Sequence, residues 1–141
     1  MTVVEGGAPE PPLHVFRTRI WFDELDKVGV LHNARYAVHA ERALAGWYEQ
    51  RPELAASGDG RHLVKAYEIE FLVPVAATGE LDVELRVAKL GTTSCAYEFR
   101  FVGLDGVVHA IGRRTVVKTG ADLRPEPWSE DFRRVHERGG E

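Results

Sequence analysis

The segment from Phe22 to Ala43 combines residue types that can carry out chemistry on a carbonyl group. It contains an acidic residue, Asp26, followed by Asn33 and Tyr36. We predict that a helix begins near Asn33, and a helix N-terminus offers free backbone N–H groups with a partial positive charge. The Asn33 N–H could therefore donate a hydrogen bond to a carbonyl oxygen, while the same helix end favours the ionised form of Asp26. An ionised Asp26 can attack a carbonyl carbon or deprotonate a water molecule, and both roles stay open.

Neighbouring residues compete for these roles, and each candidate also has a simpler explanation. Asp26 could be a turn or capping residue, because aspartate is common before helices. Asp23 and Glu24 are alternative carboxylates in the same segment. His32 could act as a catalytic acid or base or could orient a substrate. A histidine at the start of a helix is, however, more often a cap or a solvent-facing group.

One helix is predicted between Ala34 and Gln50, with Asn33 as a candidate N-cap residue and Pro52 as the stop signal. Apolar residues recur along this segment at spacings of three and four residues, which is typical of a helix with one buried stripe: Ala37, Ala40, Leu44 and Trp47. The alanines of this stripe let a neighbouring surface approach the helix closely, so we expect the rest of the chain to wrap around it. Residues 52–62 carry proline, glycine and aspartate and are predicted to form a loop.

Five segments have the alternating pattern of half-buried strands: residues 13–22, 64–73, 80–90, 94–101 and 107–118. The last four are separated by short turn sequences, which predict antiparallel neighbours. The fold class is therefore α+β, with a five-stranded antiparallel sheet wrapped around one long central helix, which is the order of a hotdog fold. The main rival is a cone-shaped α+β fold with several N-terminal helices, and it is disfavoured because only one convincing helix is predicted.

Length, charge and cysteine content exclude several classes of protein. The 141 residues suit a single domain, which we place at residues 13–137 after a flexible tail over residues 1–12. Lys and Arg number 18 against 22 for Asp and Glu, and this net charge of −4 disfavours a nucleic-acid partner. No apolar run is long enough for a membrane span or a signal peptide. A single cysteine, Cys95, excludes an intrachain disulfide and a zinc site built from cysteines, so we expect a cytoplasmic protein.

The segment from Phe22 to Ala43 resembles the corresponding segment of a known family. Its residues match those of acyl-CoA thioesterases of the hotdog superfamily, in the branch that contains 4-hydroxybenzoyl-CoA thioesterase-like and YbgC-like proteins. The matching positions are Asp26, Gly29, Asn33, Tyr36 and the run Glu41-Arg42-Ala43. The resemblance continues to about residue 128 through Phe71, Pro74, Gly79-Glu80-Leu81, Gly91, Ser94 and the proline-rich run from Leu123 to Pro127. His32 departs from the family, which usually has asparagine or an aromatic residue near that position.

The resemblance implies a thioesterase without metal or bound cofactor, acting on an acyl-CoA or an acyl-carrier-protein thioester, with Asp26 as the catalytic carboxylate. Tyr36 could equally pack against the sheet or contact substrate. The resemblance also implies that the turn containing Gly91, Thr93 and Ser94 presents its backbone to the pantetheine arm. Positive side chains are wanted near the phosphates of coenzyme A, and the candidates, which could equally be ordinary surface charges, are Lys65, Arg113, Arg114 and Lys118.

Glu41 is a second candidate carboxylate, because another hotdog branch uses a glutamate on the central helix. A buried glutamate needs a partner, and adjacent residues on a helix diverge, so Arg42 does not supply one. We hypothesise that Glu41 points toward a site at a dimer interface or bonds a neighbouring loop. The open edges of a single sheet, together with the resemblance, imply a homodimer or a homotetramer with sites between subunits.

Two other functions remain as alternatives. A hotdog hydratase or dehydratase usually has a histidine five residues after the aspartate, whereas here that position is Leu31 and His32 comes one residue late. A non-catalytic protein that binds or senses acyl thioesters is the second alternative, and the presence of Asp26 argues against it. The acyl group itself stays open among aromatic, short aliphatic and polyketide groups.

Overall fold

The computed structural model describes residues 10–139, so most of the predicted tail over residues 1–12 lies outside the described residues. The strands are β1 (His14–Ile20), β2 (His62–Phe71), β3 (Gly79–Leu90), β4 (Ser94–Gly103) and β5 (Val108–Lys118). The helices are α1 (Arg35–Glu49), α2 (Pro52–Ala56) and α3 (Glu130–Gly139), and a short 3-10 turn occupies Phe22–Glu24. None of the helices within residues 10–139 has the length and apolar character needed to cross a membrane.

The five predicted strands form one antiparallel sheet in the order β1-β3-β4-β5-β2. The prediction that short loops join neighbouring strands is confirmed for β3–β4 and β4–β5, but it is wrong for β2 and β3. β2 pairs with β5, whereas β3 pairs with β1, so residues 72–78 cross the sheet. This crossing is physically accessible, because seven extended residues span up to ~24 Å and three strand spacings amount to ~14 Å.

Helix α1 packs on one face of the sheet, as its apolar stripe predicts. Ala40 and Ala43 are fully buried, and Leu44 and Trp47 are almost so. The sheet contributes the alternate residues of its strands to the same core, among them Val83 and Leu85 of β3, Tyr97, Phe99 and Phe101 of β4, and Ala110 and Val116 of β5. The small side chains of α1 therefore allow the close contact with the sheet that the sequence indicated.

The prediction of a single helix is wrong, since two further helices are present. α2 occupies the first part of the predicted loop over residues 52–62, and Pro52 suits the first turn of a helix because it has no N–H to satisfy there. α3 begins after Ser129, whose hydroxyl accepts the N–H of Phe132 over 3.1 Å. Phe132 is fully buried and stacks on Trp128, with ring centroids 3.8 Å apart, so tertiary packing stabilises this charged segment as a helix.

Candidate active site

A cavity of about 380 Å³ lies at the N-terminal end of α1. Its walls come from the segment before α1 and from the end of β2: Asp26, Val30, Leu31, His32, Asn33, Tyr36, Phe71, Leu72 and Pro74. Four residues that the sequence analysis selected for chemistry therefore line one cavity, namely Asp26, His32, Asn33 and Tyr36. The crossing of residues 72–78 explains why the end of β2 faces this site, because the chain leaves β2 beside the start of α1.

Asp26 begins a tight turn that fixes one of its carboxylate oxygens. Its Oδ1 accepts the N–H groups of Val28 at 2.8 Å and Val30 at 3.4 Å, and its own N–H donates to the Val30 oxygen at 2.8 Å. Gly29 closes the turn with φ +93°, a conformation that favours glycine. The other oxygen, Oδ2, accepts no hydrogen bond from residues 10–139. Asp26 is thus a turn residue that lines the cavity and that keeps one carboxylate oxygen free of hydrogen bonds from the described residues.

Asn33, at the start of α1, also lines this cavity, and its backbone N–H is open. The N–H of His32 donates to the Glu24 oxygen at 3.0 Å, and the N–H of Arg35 donates to the His32 oxygen at 2.9 Å. The N–H of Ala34 donates to His32 Nδ1 at 3.1 Å. Asn33 lies between these residues, and its N–H has no acceptor within the part of the chain that the structure describes. This exposed amide is available to a ligand oxygen.

His32 acts on the backbone as a cap, which was the simpler of its two interpretations. Because Nδ1 accepts the Ala34 N–H, a neutral His32 ring carries its proton on Nε2. The N-cap residue of α1 is Ala34, and the side chain of Asn33 makes no hydrogen bond with residues 10–139. The helix therefore begins slightly later than predicted, and its first turn is held by His32 rather than by the Asn33 side chain.

Tyr36 and two phenylalanines form an apolar wall beside the polar groups. The Tyr36 ring meets Phe71 at 5.0 Å and Phe101 at 5.2 Å, both in edge-to-face geometry. Tyr36 is almost fully buried, and this burial raises the pKa of its hydroxyl, which therefore stays protonated at neutral pH. The wall can accept the apolar part of a ligand whose polar end lies near Asp26 and Asn33.

Glu41 and Arg114 lie together, but they do not line this cavity. Arg114 Nη2 donates to Glu41 Oε1 at 3.4 Å, which joins β5 to α1. Both residues line a second cavity of about 210 Å³ with Tyr48 and His62. Burial lowers the pKa of His62. The Glu41 side chain is largely exposed, so it does not face the cost of burial that was considered from the sequence.

The remaining candidates are also away from the Asp26 cavity. Lys65 and Arg113 are exposed on β2 and β5. Lys118 forms a buried ion pair with Asp59 at 2.9 Å. The turn that contains Gly91, Thr93 and Ser94 is hydrogen-bonded to the C-terminal part of the chain, since the Thr93 oxygen accepts the Lys118 N–H and the Ser94 oxygen accepts Trp128 Nε1. The substrate-binding roles expected for these residues stay predictions.

One group of buried residues next to the site was not predicted. His39 hydrogen-bonds to Glu24 and to Thr18, and all three side chains are buried. The sequence contains a usable signal for it, because His39 falls on the buried stripe of α1 between Tyr36 and Ala40. A titratable side chain on such a stripe requires a buried partner. Within residues 10–139 no cluster of three or more His, Cys, Asp or Glu side chains could hold a metal ion.

The protein family and the curated protein that match this chain are both described as thioesterases or thioesterase-like. Residues 20–135 match the family model described as the thioesterase-like superfamily. The acyl-CoA thioesterase YbgC of Helicobacter pylori is 22% identical over 74 residues, which cover 52% of this chain and 56% of that protein. The chain thus spans about half the length of this curated relative.

Solved structures show the same fold. A thioesterase from Thermus thermophilus, complexed with coenzyme A and Zn, superposes with a TM-score of 0.81 at 24% identity, covering 94% of this chain and 98% of the other. The PA2801 protein of Pseudomonas aeruginosa has a TM-score of 0.78 at 24% identity, covering 88% of this chain and 98% of the other. At this level of identity the likeness concerns the fold, and it agrees with the arrangement predicted from the order of the strands.

Proposed function

The chain belongs to the thioesterase-like superfamily, and we propose that it hydrolyses an acyl thioester of coenzyme A or of an acyl carrier protein to a free acid and a thiol. The observation that carries the proposal is that Asp26, whose Oδ2 is free, and Asn33, whose N–H is open, line one cavity. A thioester carbonyl bound there would have a carboxylate for attack and an amide for its oxygen. The name of the Helicobacter pylori relative supports the same reaction.

Two routes use this arrangement. In the first, Asp26 takes a proton from water, and the hydroxide attacks the carbonyl carbon. In the second, Asp26 Oδ2 attacks the carbonyl carbon itself, and water later hydrolyses the resulting anhydride. In both, the carbonyl oxygen gains negative charge opposite the Asn33 N–H, and the C–S bond breaks to release a thiolate that takes up a proton.

The turn at Asp26 prepares the carboxylate for either route. The N–H groups of Val28 and Val30 hold Oδ1, so the side chain does not lose rotational freedom when the substrate binds. The wall of Tyr36 and Phe71 would pack against the acyl group.

The two alternative functions have less support. The position at which a hydratase would have its histidine is Leu31, whose side chain is buried. The nearest histidine, His32, uses Nδ1 to hold the Ala34 N–H. A non-catalytic thioester binder would not need a free carboxylate oxygen beside an open amide, although it could share the same cavity.

We also propose that the protein is a homodimer or a homotetramer in the cytoplasm. β2 is an edge strand, and its exposed surface includes Leu63, Val64 and Phe71, each about half exposed at 49%. Apolar edges of this kind favour pairing with a second copy. Cys95 is a buried free thiol, which suits a reducing compartment. Light scattering that gives a folded, active monomer would contradict the proposed assembly.

The activity is tested by thiol release from a panel of aromatic, short aliphatic and long aliphatic acyl-CoAs, followed with a thiol reagent. We expect turnover of at least one substrate by the wild type and its loss in Asp26→Asn. Asp23→Asn is the matched control, because Asp23 is an exposed aspartate nearby that does not line the cavity. Full activity of Asp26→Asn would contradict the mechanism, and tight binding without turnover of any substrate would favour the non-catalytic alternative.

A further inference from the structure

The structure assigns Glu24 and His39 as positioning residues of the site, because together with Thr18 they connect β1, the Asp26 turn and α1 through one buried hydrogen-bond chain. This inference rests on the proposed function, since it concerns the residues that hold Asp26 and Asn33 in place. Neither Glu24 nor His39 lines the Asp26 cavity or the cavity of Glu41 and Arg114, so both would act through other residues.

The chain of hydrogen bonds is short and excluded from solvent. His39 Nδ1 lies 2.6 Å from Thr18 Oγ1, and His39 Nε2 lies 2.5 Å from Glu24 Oε2. His39 is 0% exposed, Thr18 is 5% exposed and Glu24 is 6% exposed. A buried ionisable pair that is this well enclosed persists only where every polar atom has a partner.

One assignment of protons satisfies every polar atom of the chain. The Thr18 O–H donates to Nδ1 of a neutral His39, whose Nε2–H donates to Glu24 Oε2. The second carboxylate oxygen, Oε1, accepts the backbone N–H of Trp21 at 3.1 Å. Burial raises the pKa of Glu24, but the hydrogen bonds from His39 and Trp21 outweigh burial, so the pKa lies below its usual value and Glu24 is ionised.

This arrangement superficially resembles a catalytic triad, but its geometry excludes that role. The Thr18 hydroxyl is buried and lines none of the described cavities, so it does not reach a substrate. His39 Nδ1 accepts the hydrogen bond from this hydroxyl, and His39 Nε2 donates its hydrogen bond to Glu24. Both ends of this hydrogen-bond chain therefore lie inside the protein, and neither offers a group that could react with a substrate.

Glu24 joins this buried chain to the active-site segment through its backbone. Its carbonyl oxygen accepts the His32 N–H at 3.0 Å, and the next residue, Leu25, forms an isolated antiparallel bridge with Leu31. Asp26 follows two residues after Glu24, and Asn33 follows directly after His32. A shift of the Glu24 backbone would therefore displace the Asp26 carboxylate and the Asn33 N–H.

His39 supplies the other anchor, since it lies on α1 one turn after Tyr36. Through Glu24 it ties the helix to the base of the Asp26 turn, and through Thr18 it ties the helix to β1. The position of the helix start relative to the turn is thus set by a side-chain bond as well as by packing. Catalysis depends on such placement, because small displacements of reacting groups cost large factors in rate.

The test combines kinetics with hydrogen exchange. We expect Glu24→Gln and His39→Phe each to lower kcat about tenfold or more with KM changed less than about threefold, since substrate contacts remain and only the reacting groups move. Glu24→Gln keeps one side-chain oxygen that can accept the hydrogen bond from His39. The second carboxylate oxygen is replaced by an amide nitrogen, which cannot accept a hydrogen bond. The double variant should lose no more than the worse single variant, because the two residues act as one unit.

Hydrogen exchange measured by mass spectrometry provides a readout that does not depend on activity. In both single variants we expect faster exchange in peptides that cover residues 22–36, with little change in β4 and α3. Ser129→Ala is the control for general destabilisation, because Ser129 caps α3 and bonds Asp59 far from the site in sequence. It should lower the melting temperature without changing kcat or exchange over residues 22–36.

The outcomes separate this inference from the proposed function. Unchanged exchange over residues 22–36 in both variants would overturn the positioning role, as would additive losses of kcat that simply follow the melting temperature. If the wild type hydrolysed no thioester, the proposed function would fail, and the exchange data would still decide whether Glu24 and His39 hold the segment.

Discussion

Tyr97 and His136 are joined by a buried hydrogen bond between the tyrosine hydroxyl and Nε2, which are 2.6 Å apart. The hydroxyl of Tyr48 lies 2.9 Å from that of Tyr97, and His136 Nδ1 lies 2.7 Å from the Phe132 oxygen. The imidazole also meets the ring of Trp47 edge to face at 4.9 Å. These contacts hold α3 against the C-terminal part of α1, which is the end of the helix opposite the Asp26 cavity.

The first prediction concerns pH and His136. Burial lowers the pKa of His136 to about 4. An unfolded chain takes up a proton on this histidine below its ordinary pKa of about 6.5, whereas the folded protein resists protonation until about pH 4. The free energy of unfolding should therefore fall as the pH decreases from about 6.5 toward 4, by up to about 3 kcal/mol from this group.

Urea unfolding at pH 7 and pH 5 checks this expectation. His136→Asn removes the titrating group, so the difference in stability between the two pH values should become smaller than in the wild type. An equally steep dependence in the variant would show that other groups cause the loss of stability.

The second prediction concerns the buried ion pair of Lys118 and Asp59. Asp59 is fully buried and also accepts hydrogen bonds from Ser57 and from the N–H and hydroxyl of Ser129. Asp59→Asn leaves the Lys118 ammonium without its counter-charge, so we expect a loss of about 3–5 kcal/mol in the free energy of unfolding. Asp122→Asn is the control, because the pair of Asp122 with Arg124 is exposed and should contribute less than about 1 kcal/mol. Equal effects of the two variants in urea unfolding would refute the structural role of Asp59.

The third prediction concerns the Asp26 turn. Gly29→Ala places a side chain on a residue with φ +93°, a backbone conformation that alanine adopts only with strain. The added carbon makes no steric clash, because nothing lies within 4 Å of it. We expect the turn to relax and kcat to fall about tenfold, as a change of ~1.4 kcal/mol in the barrier would produce. Gly60→Ala also adds its carbon in open space, but Gly60 has no positive φ. Thiol-release assays should find Gly60→Ala close to the wild type, and a similar loss in both variants would argue against the role of the turn.

The fourth prediction concerns the second candidate carboxylate. Glu41 is exposed and lines a different cavity from Asp26, so Glu41→Gln should reduce kcat less than about threefold. The loss of an exposed pair with Arg114 should also change stability by less than about 1 kcal/mol. If Glu41→Gln lost as much activity as Asp26→Asn, Glu41 would have to reach the site of another subunit, and the role as a second catalytic carboxylate would be supported.

The local features of this protein could be predicted from the sequence. The alternation of Leu81, Val83 and Leu85 marks a strand with one buried face, and the spacing of Ala40, Leu44 and Trp47 marks a helix with one buried stripe. The spacing of Asp26, Asn33 and Tyr36 identified the residues that meet at one cavity. These features depend on residues that are close in the chain, whose relative placement follows from the period of a strand or a helix.

Features that depend on distant residues could not be predicted in this way. The short loop after β2 suggested pairing with β3, but β3 completes the sheet beside β1, and β2 pairs with β5. The charged segment of α3 has few apolar residues, and it becomes a helix because Phe132 and His136 are buried against Trp128, Trp47 and Tyr97. Tertiary packing outweighs the weak local preference in both cases.

The sequence by itself determined the five strands, the long helix α1 and the group of Asp26, Asn33 and Tyr36, because these follow from residue types at fixed local spacing. Only the tertiary structure showed that Glu24 is a buried partner of His39 that does not line the Asp26 cavity, and that Glu41 and Arg114 line a separate cavity. The physical reason is that a carboxylate has the same chemistry everywhere in the chain, whereas its burial and its hydrogen-bond partners come from residues that folding brings together.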